Sequence, residues 1–315
     1  MPTKRRSFLK RMGILGSLAT FSQFPLYAQS SGQRDKALDI HVFSKHLQFL
    51  NYREAAEVAA EIGFKGLDLT VRPKGHILPE NVKEDLPKAI REVKNAGLSC
   101  EMITTAISDA SNPLDQAVIE TAAAEGVKFY RSNWFKFKKD ISLEESLDFY
   151  KEKVRELSEL NKAHNIIGCY QNHSGTSIGA SIWEVKMVLE KALPEFFGAQ
   201  YDIRHAVVEG GRSWSNGVKL LKKHIKTIVL KDFKWEKVKG KWQLINVPMG
   251  EGMVDFIAYF KLLKSLGLKP PVCLHFEYPL GGADKGRSEI TIDHKVVFDA
   301  MKRDLAVAQQ LWEEA

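Results

Sequence analysis

The stretch at residues 154–173, VRELSELNKAHNIIGCYQNH, contains one complete helix-to-strand unit. Its first half places Val154, Leu157 and Leu160 at helical spacing, which predicts an amphipathic helix. Its second half, Ile166–Gln171, is a short apolar run of the length of a buried strand. Polar residues follow this run directly. The stretch therefore predicts a helix, a buried strand and a polar strand end, in that order.

The same alternation extends over residues 38–315. Glycine follows several of the predicted helices, as at Gly63 and Gly97, where a left-handed residue commonly ends a helix. Eight such units over this length predict an α/β protein, a single-domain (β/α)8 TIM barrel. The eight strands are predicted at Leu38–Phe43, Gly66–Thr70, Leu98–Thr104, Val127–Arg131, Ile166–Gln171, Ala199–Ile203, Thr227–Lys231 and Pro271–Glu277.

A doubly wound open sheet is the structural alternative. It would be favoured by a glycine-rich phosphate loop after the first strand, and the sequence has none there. The pair Gly250 and Gly252 is predicted to form a turn before a late helix. The alternation therefore favours the closed barrel.

One segment, Phe233–Gln243, interrupts the alternation. Its aromatic and charged residues alternate around Lys239-Gly240, which predicts a small β-hairpin at the barrel mouth. Two interpretations remain open: a solvated surface excursion, or an aromatic lid over a site.

The positive charge is concentrated at the N-terminus. The chain has 315 residues, 44% of them hydrophobic and 27% charged, and a formal net charge of +7. Five cations lie among the first eleven residues without an acid, so the remainder carries only +2. A nearly neutral body argues against nucleic acid as a partner.

Residues 1–28 are predicted to be an export signal. KRRSFLK at residues 4–10 is followed by a modestly apolar stretch to Phe24 and by Ala28, the residue expected before cleavage. The pattern resembles signals of the twin-arginine (Tat) pathway, which implies passage through the Tat translocon to the periplasm. An uncleaved anchor is disfavoured because a spanning helix needs roughly 20 apolar residues. Residues 29–37 are then a linker and 38–315 the barrel, with no membrane contact after cleavage.

The three cysteines, Cys100, Cys169 and Cys273, lie in separate predicted strands. Their number is odd and their spacing is not paired, so we expect buried thiols and no disulfide.

Several polar residues stand at or just after the ends of predicted strands. In a barrel of this kind the carboxyl ends of all strands converge on one mouth. Alternate residues of a strand share a face, so Gln171 can point inwards with His173, and His275 with Glu277. The candidates on this ground are Asp68, Arg72, His76, Gln171, His173, Asp202, Arg204, His205, Lys231, Asp232, His275 and Glu277.

Four strand-end motifs and a late glutamate carry a family resemblance. The motifs are YQNH at 170–173, YDIRH at 201–205, LKDF at 230–233 and PMGEG at 248–252, and the glutamate is Glu277. They resemble those of the sugar phosphate isomerase/epimerase family of xylose-isomerase-like TIM barrels. The resemblance covers residues 38–315 and implies the barrel fold. It also implies a divalent cation (Mn, Mg, Co or Zn) and paired glutamates that transfer protons to and from a sugar.

Two positions depart from the family pattern. Asp202 and Glu277 match metal ligands of the family, whereas Gln171 stands where a glutamate is expected and Val229 where a histidine is expected. Loss of one carboxylate and one imidazole weakens a site for a hard cation. His173 or His275 could compensate, or the site could be metal-free. Both alternatives remain open.

The expected roles follow from this partial match. An amide cannot exchange a proton at neutral pH, so Gln171 disfavours a symmetric epimerase with two carboxylates. We expect proton abstraction next to a carbonyl of a non-phosphorylated sugar or sugar derivative. The expected catalytic residues are Glu277, His205, Lys231 and His173; the expected substrate contacts are Asp68, Arg72, His76, Trp134, Arg204 and Asp232; the expected metal ligands are Asp202, Glu277 and Gln171.

Two other functions remain as alternatives. One is β-elimination on a 3-keto-glycoside, which needs only one base. The other is a barrel that binds carbohydrate without catalysis. A DNA-repair endonuclease of the same superfamily is disfavoured because the mouth has too few ligands for its multi-zinc site.

Overall fold

The computed structural model describes residues 37–315. Within them, eight parallel strands form a closed barrel in the order β1-β10-β7-β6-β5-β4-β3-β2. The predicted (β/α)8 barrel is therefore confirmed, and the open-sheet alternative is excluded. The barrel strands are β1 Ile40–Phe43, β2 Gly66–Val71, β3 Ser99–Thr105, β4 Phe129–Arg131, β5 Ile167–Gln171, β6 Phe197–Asp202, β7 Ile225–Leu230 and β10 Val272–Leu274.

Helices cover the outside of the barrel. Their bounds are α1 Tyr52–Ile62, α2 Val82–Asn95, α3 Pro113–Ala124, α4 Leu143–His164, α5 Ile182–Val188, α6 Ile203–Gly210, α7 Trp214–Leu221, α8 Phe256–Ser265 and α9 His294–Glu314. Capping boxes begin α1 at Asn51 and α4 at Ser142, where the side chains satisfy otherwise unpaired amides. No helix among residues 37–315 has the length and apolar character needed to cross a membrane.

The predicted hairpin is also present. Strands β8 Asp232–Val238 and β9 Lys241–Val247 pair antiparallel. The two turn residues, Lys239 and Gly240, have φ values of 49° and 80°, which is the conformation that two-residue hairpins favour.

A small apolar cluster fills the barrel below its mouth. Phe43, Met102, Val229 and Cys273 come from four different strands and pack together apart from the main core. The main core lies between strands and helices, so these four side chains occupy the barrel interior. All three cysteines are buried and unpaired by disulfides, as expected.

The last barrel strand is shorter than predicted. The strand ends at Leu274; the amide of His275 still donates to the carbonyl oxygen of Leu230 of β7, but the amide of Phe276 donates to Nε2 of His46 at 3.0 Å instead of to a neighbouring strand. His275, Phe276 and Glu277 therefore follow the strand as a bent segment at the mouth.

The predicted export signal at residues 1–28 lies outside the described residues. The same holds for the linker at 29–37, except Ala37. Both stay predictions.

Candidate functional site

A cavity of about 60 Å³ lies at the carboxyl ends of the barrel strands. This volume holds only a few water molecules, so a sugar needs flexible wall side chains such as Lys45 to move aside. The cavity is lined by Phe43, Lys45, Arg72, Arg131, Trp134, Gln171, His173, Lys231, His275 and Glu277.

Lys231 lies at the centre of the charged groups. Its Nζ is 3.1 Å from Oδ2 of Asp202 and 3.4 Å from Oε2 of Glu277. Lys231 is 4% exposed, and Asp202 is fully buried. Because the ammonium is shielded from water, its attraction for both carboxylates is stronger than that of a surface pair. The three groups come from the ends of three strands, as the barrel geometry predicts.

The surroundings of Asp202 hold its carboxylate in one orientation. It caps α6 by accepting the amide of His205 at 3.1 Å. Its other oxygen accepts Nε2 of Gln171 at 2.9 Å. The amide of Asn172 exchanges two hydrogen bonds with the Asp202 backbone. Asp202 is thus fully engaged by protein groups.

Glu277 is the carboxylate that faces the cavity. Burial would raise the pKa of Glu277, but Lys231, the neighbouring ring of His275 and the ammonium of Lys45 together hold that pKa well below its usual range. His275 Nδ1 is 3.5 Å and Lys45 Nζ is 3.7 Å from Oε1. Glu277 is therefore ionised at neutral pH and can accept a proton.

His173 is neutral and has one free ring nitrogen. Burial and the nearby Lys231 lower the pKa of His173. Its Nδ1 lies 2.8 Å from the carbonyl oxygen of Ser174. A carbonyl only accepts, so Nδ1 carries the proton and Nε2 keeps its lone pair. His173 can therefore act as a base.

His205 lies behind His173. The two rings are 4.0 Å apart, and His205 does not line the cavity. Nη1 of Arg204 donates to its Nδ1 at 2.9 Å, so the proton is on Nε2, which lies 3.6 Å from Oδ2 of Asp202. The position supports a positioning role for His205, not the direct catalytic role expected from sequence. Arg204 shares this role.

Aromatic rings connect the cationic groups with the imidazoles. The guanidinium of Arg131 lies 4.2 Å over the ring of Trp134, which contacts His173 at 4.5 Å. On another wall, Arg72 lies 5.7 Å from the ring of Phe43. Cation–π contacts of this kind hold the cations in place.

Two predicted substrate contacts point away from the cavity. The carboxylate of Asp232 accepts four backbone amides, at 2.8 to 3.2 Å, from Phe233 and from residues 250, 252 and 254. It fastens the turn after the hairpin. Nε2 of His76 donates to the carbonyl oxygen of Leu50 at 3.0 Å, and the residue lines a separate surface cleft. Neither residue lines the cavity, and their assignment as substrate contacts stays a prediction.

Asp68 lies beneath the cavity wall. It is buried and accepts the hydroxyl of Thr104 at 3.2 Å. Burial raises its pKa to about 6, although Cys273, Thr104 and the cations Arg131 and Arg72 oppose this change. Asp68 is therefore placed to balance the two guanidinium groups rather than to bind substrate directly.

Three cavity residues were missed by the sequence reasoning. Phe43 and Lys45 belong to the end of the first strand and the turn after it, and Arg131 is the last residue of the predicted fourth strand. The strand-end rule applied to the first and fourth strands would have found them.

The residues present do not fit a divalent cation in this arrangement. Lys231 places an ammonium between the two carboxylates, and Gln171 presents its NH₂ group, a donor, to Asp202. Val229 packs in the apolar cluster. Across residues 37–315, no group of three or more His, Cys, Asp and Glu side chains is arranged to hold a metal ion. Lys231 thus occupies the place between the carboxylates that a cation would need.

Residues 56–293 match the family model described as xylose isomerase-like TIM barrel. The chain belongs to this family. No curated protein matches it in sequence.

Solved structures of low identity share the fold. A 3-keto-D-glucoside 4-epimerase from E. coli is 13% identical, with a TM-score of 0.64 over 87% of this chain and 99% of that one. D-psicose 3-epimerase from Clostridium cellulolyticum H10, solved with D-tagatose, is 11% identical, with a TM-score of 0.66 over 87% and 99%. A family protein from Mycobacterium smegmatis in complex with magnesium is 13% identical, with a TM-score of 0.64 over 87% and 98%.

Proposed function

We propose that this member of the xylose isomerase-like family is an exported enzyme that abstracts a proton next to a carbonyl of a non-phosphorylated sugar or sugar derivative. The observation that carries the proposal is the Lys231 ammonium held between Asp202 and Glu277 at the cavity. Proton abstraction next to a carbonyl produces a negative oxygen, and a buried cation at that place stabilises it.

Glu277 is the proposed base. Its carboxylate faces the cavity in the ionised form and removes the proton from the carbon next to the carbonyl. The electron pair of the broken C–H bond forms a C=C bond, and the π pair of the carbonyl moves to its oxygen, which becomes an enolate oxygen beside Lys231. Return of the proton to the neighbouring carbon completes an isomerisation.

His173 is the proposed second proton carrier. Its free Nε2 can take a proton from a substrate hydroxyl and return it to the oxygen that has become negative. Asp202, Gln171 and His205 contribute by holding Lys231 and His173 in position.

One observation favours β-elimination on a 3-keto-glycoside as a second candidate. Of the two carboxylates bound to Lys231, only Glu277 lines the cavity, and elimination needs one base next to the carbonyl. After abstraction, the enolate re-forms the carbonyl, a double bond forms to the adjacent carbon, and the bond from that carbon to the glycosidic oxygen breaks. The proton that Glu277 removed then passes to the leaving oxygen.

The test is proton exchange with solvent. The purified barrel is incubated in D₂O with free ketoses and with 3-keto-glucosides, and deuterium incorporation and products are followed by NMR. We expect Glu277→Gln to lower the exchange rate by about 10²- to 10⁴-fold, the range typical of a lost general base. Lys295→Ala, on the outer surface of α9, is the control and should exchange at the rate of the unmodified protein.

Two outcomes would contradict the proposal. Saturable sugar binding without exchange would support the non-catalytic carbohydrate-binding barrel instead. Exchange that is lost in EDTA and restored by Mn²⁺ would contradict the role given to Lys231.

A further inference from the structure

The cavity wall carries buried nitrogen donors that no described protein group accepts. These donors are Nε and Nη1 of Arg131, Nε of Arg72 and Nε1 of Trp134. Arg131 is 5% exposed and uses Nη2 on the carbonyl oxygen of Thr105 at 3.2 Å. Leaving a buried donor without an acceptor is costly, so clustered donors of this kind indicate a ligand that supplies oxygen acceptors.

The charges of the wall favour a negative ligand. Four cations line the cavity: Lys45, Arg72, Arg131 and Lys231. Three carboxylates balance them, namely Glu277, Asp202 at Lys231, and Asp68 beside the two arginines. The cavity imidazoles are neutral at pH 7, because burial lowers the pKa of both His173 and His275. Among these seven charged groups, one positive charge is therefore in excess.

The arginines remain cationic in this environment. Burial and the neighbouring Arg72 lower the pKa of Arg131 to about 9, which is still above neutral pH. Burial also lowers the pKa of Arg72. A carboxylate matches a guanidinium better than a hydroxyl does, because two oxygens accept two parallel N–H groups and the bonds are charge-assisted.

We propose that the substrate is a sugar acid, whose carboxylate binds to Arg131, Arg72 and the indole N–H of Trp134. This inference rests on the proposed function and names its substrate class. The carboxylate would satisfy the unpaired donors and neutralise the excess charge. The sugar carbons would then extend from this wall towards Lys231, Glu277 and His173.

A single negative charge distinguishes this ligand from other sugar anions. A phosphate monoester carries between one and two charges at neutral pH and would exceed the excess of the wall. A sulfate ester carries one charge but presents three oxygens on a bulkier group. The test therefore includes both.

The test compares acids with neutral analogues of nearly the same shape. Binding of D-glucuronate and D-galacturonate is measured by titration calorimetry, each against its own amide. We expect at least one acid to bind about tenfold or more tightly than its amide, as a lost charged hydrogen bond implies. Equal affinity within both pairs, or no saturable binding of either acid, would overturn the proposal.

Variants locate the interaction. Arg131→Gln and Arg72→Gln are each expected to abolish the preference for the acid. The matched control is Arg53→Gln, whose side chain is 73% exposed and pairs with Glu57 on α1. If Arg131→Gln does not fold by circular dichroism, Arg72→Gln decides alone, and an unchanged acid preference in it would contradict the assignment.

Two further ligands separate the sources of negative charge. Tighter binding of D-glucose 6-phosphate or D-glucose 6-sulfate than of both sugar acids would overturn the assignment of a carboxylate. Acid-selective binding without deuterium exchange would leave this inference standing and contradict the proposed catalysis. Deuterium exchange with neutral sugars, without a preference for the acids, would support the proposed catalysis and contradict this inference.

Discussion

At the residue scale, burial of the Asp68 carboxyl makes the stability of the fold depend on pH. Its pKa is raised to about 6 from an ordinary value of 3.8, chiefly by burial. A carboxyl whose pKa is raised on folding stabilises the fold when protonated. That contribution is complete below the ordinary value and is lost as the pH rises through 6.

This sign gives a prediction for Asp68→Asn, which resembles the protonated form at every pH. The free energy of unfolding of the variant, relative to the original protein, should rise by about 2 kcal/mol between about pH 4.5 and 7.5. Denaturant unfolding at a series of pH values measures it. Asp148→Asn, at an exposed position on α4, is the control. A difference that does not change with pH would mean that burial has little effect on Asp68.

Also at the residue scale, Lys231 and Gln171 both donate to the carboxylate of Asp202. An amide at position 171 donates to Asp202, whereas a glutamate there would place a third carboxylate directly against Asp202. Because only the carboxylates of Asp202 and Glu277 are present, the single ammonium of Lys231 offsets about half of their negative charge. The departures from the family pattern thus form a consistent set.

At the element scale, the hairpin contributes through its base and not through its tip. Asn246 of β9 donates to the backbone oxygen of Glu277 at 3.2 Å and accepts from Arg204. Trp235 and Trp242 are 43% and 69% exposed and do not line the cavity. The solvated interpretation of the hairpin therefore describes its two tryptophans better than the lid does.

The turn after the hairpin depends on a close approach at Gly252. A Cβ at this position would lie 2.2 Å from Oδ1 of Asp232 and 2.4 Å from the backbone oxygen of Phe233. Because the glycine amide also donates to Asp232, the turn cannot move away without breaking that bond.

We expect Gly252→Ala to destabilise the protein by about 1–3 kcal/mol, as overpacking of a rigid site does. The comparison is Gly267→Ala, where φ is +68° but a Cβ meets nothing within 4 Å, so only left-handed strain of about 1 kcal/mol applies. Thermal and denaturant unfolding of both variants provide the test. Equal losses would contradict the argument from close approach.

At the scale of the whole molecule, the proposed export depends on residues that lie outside the described part of the chain. The Tat pathway carries folded proteins, which agrees with a closed barrel whose first strand, at residues 40–43, pairs with its last, at residues 272–274.

Replacing Arg5-Arg6 with Lys-Lys is expected to keep the protein in the cytoplasm. Fractionation of cells that express a tagged full chain measures the distribution. A matched replacement of Lys10 and Arg11, which keeps the twin arginines, is the control and should still be exported. Unaffected export of the first variant would contradict the Tat assignment.

The local sequence was sufficient for the strands, the helices and most of the mouth. The spacing of apolar residues and the glycines after the helices predicted the barrel. The rule that polar residues gather at strand ends identified four residues that line the cavity, namely Gln171, His173, Lys231 and Glu277. These signals are local because side-chain alternation and helix spacing are properties of neighbouring residues.

Only the tertiary structure decided which polar groups face the cavity. Asp232 and His205 lie at strand ends, as Glu277 does. The carboxylate of Asp232, however, accepts backbone amides, and the ring of His173 lies against that of His205. The positions of Arg131 and Lys45, and the placing of Lys231 between two carboxylates, depend on strands distant in sequence. Closure of the barrel brings these groups together, and no local pattern encodes the distances between them.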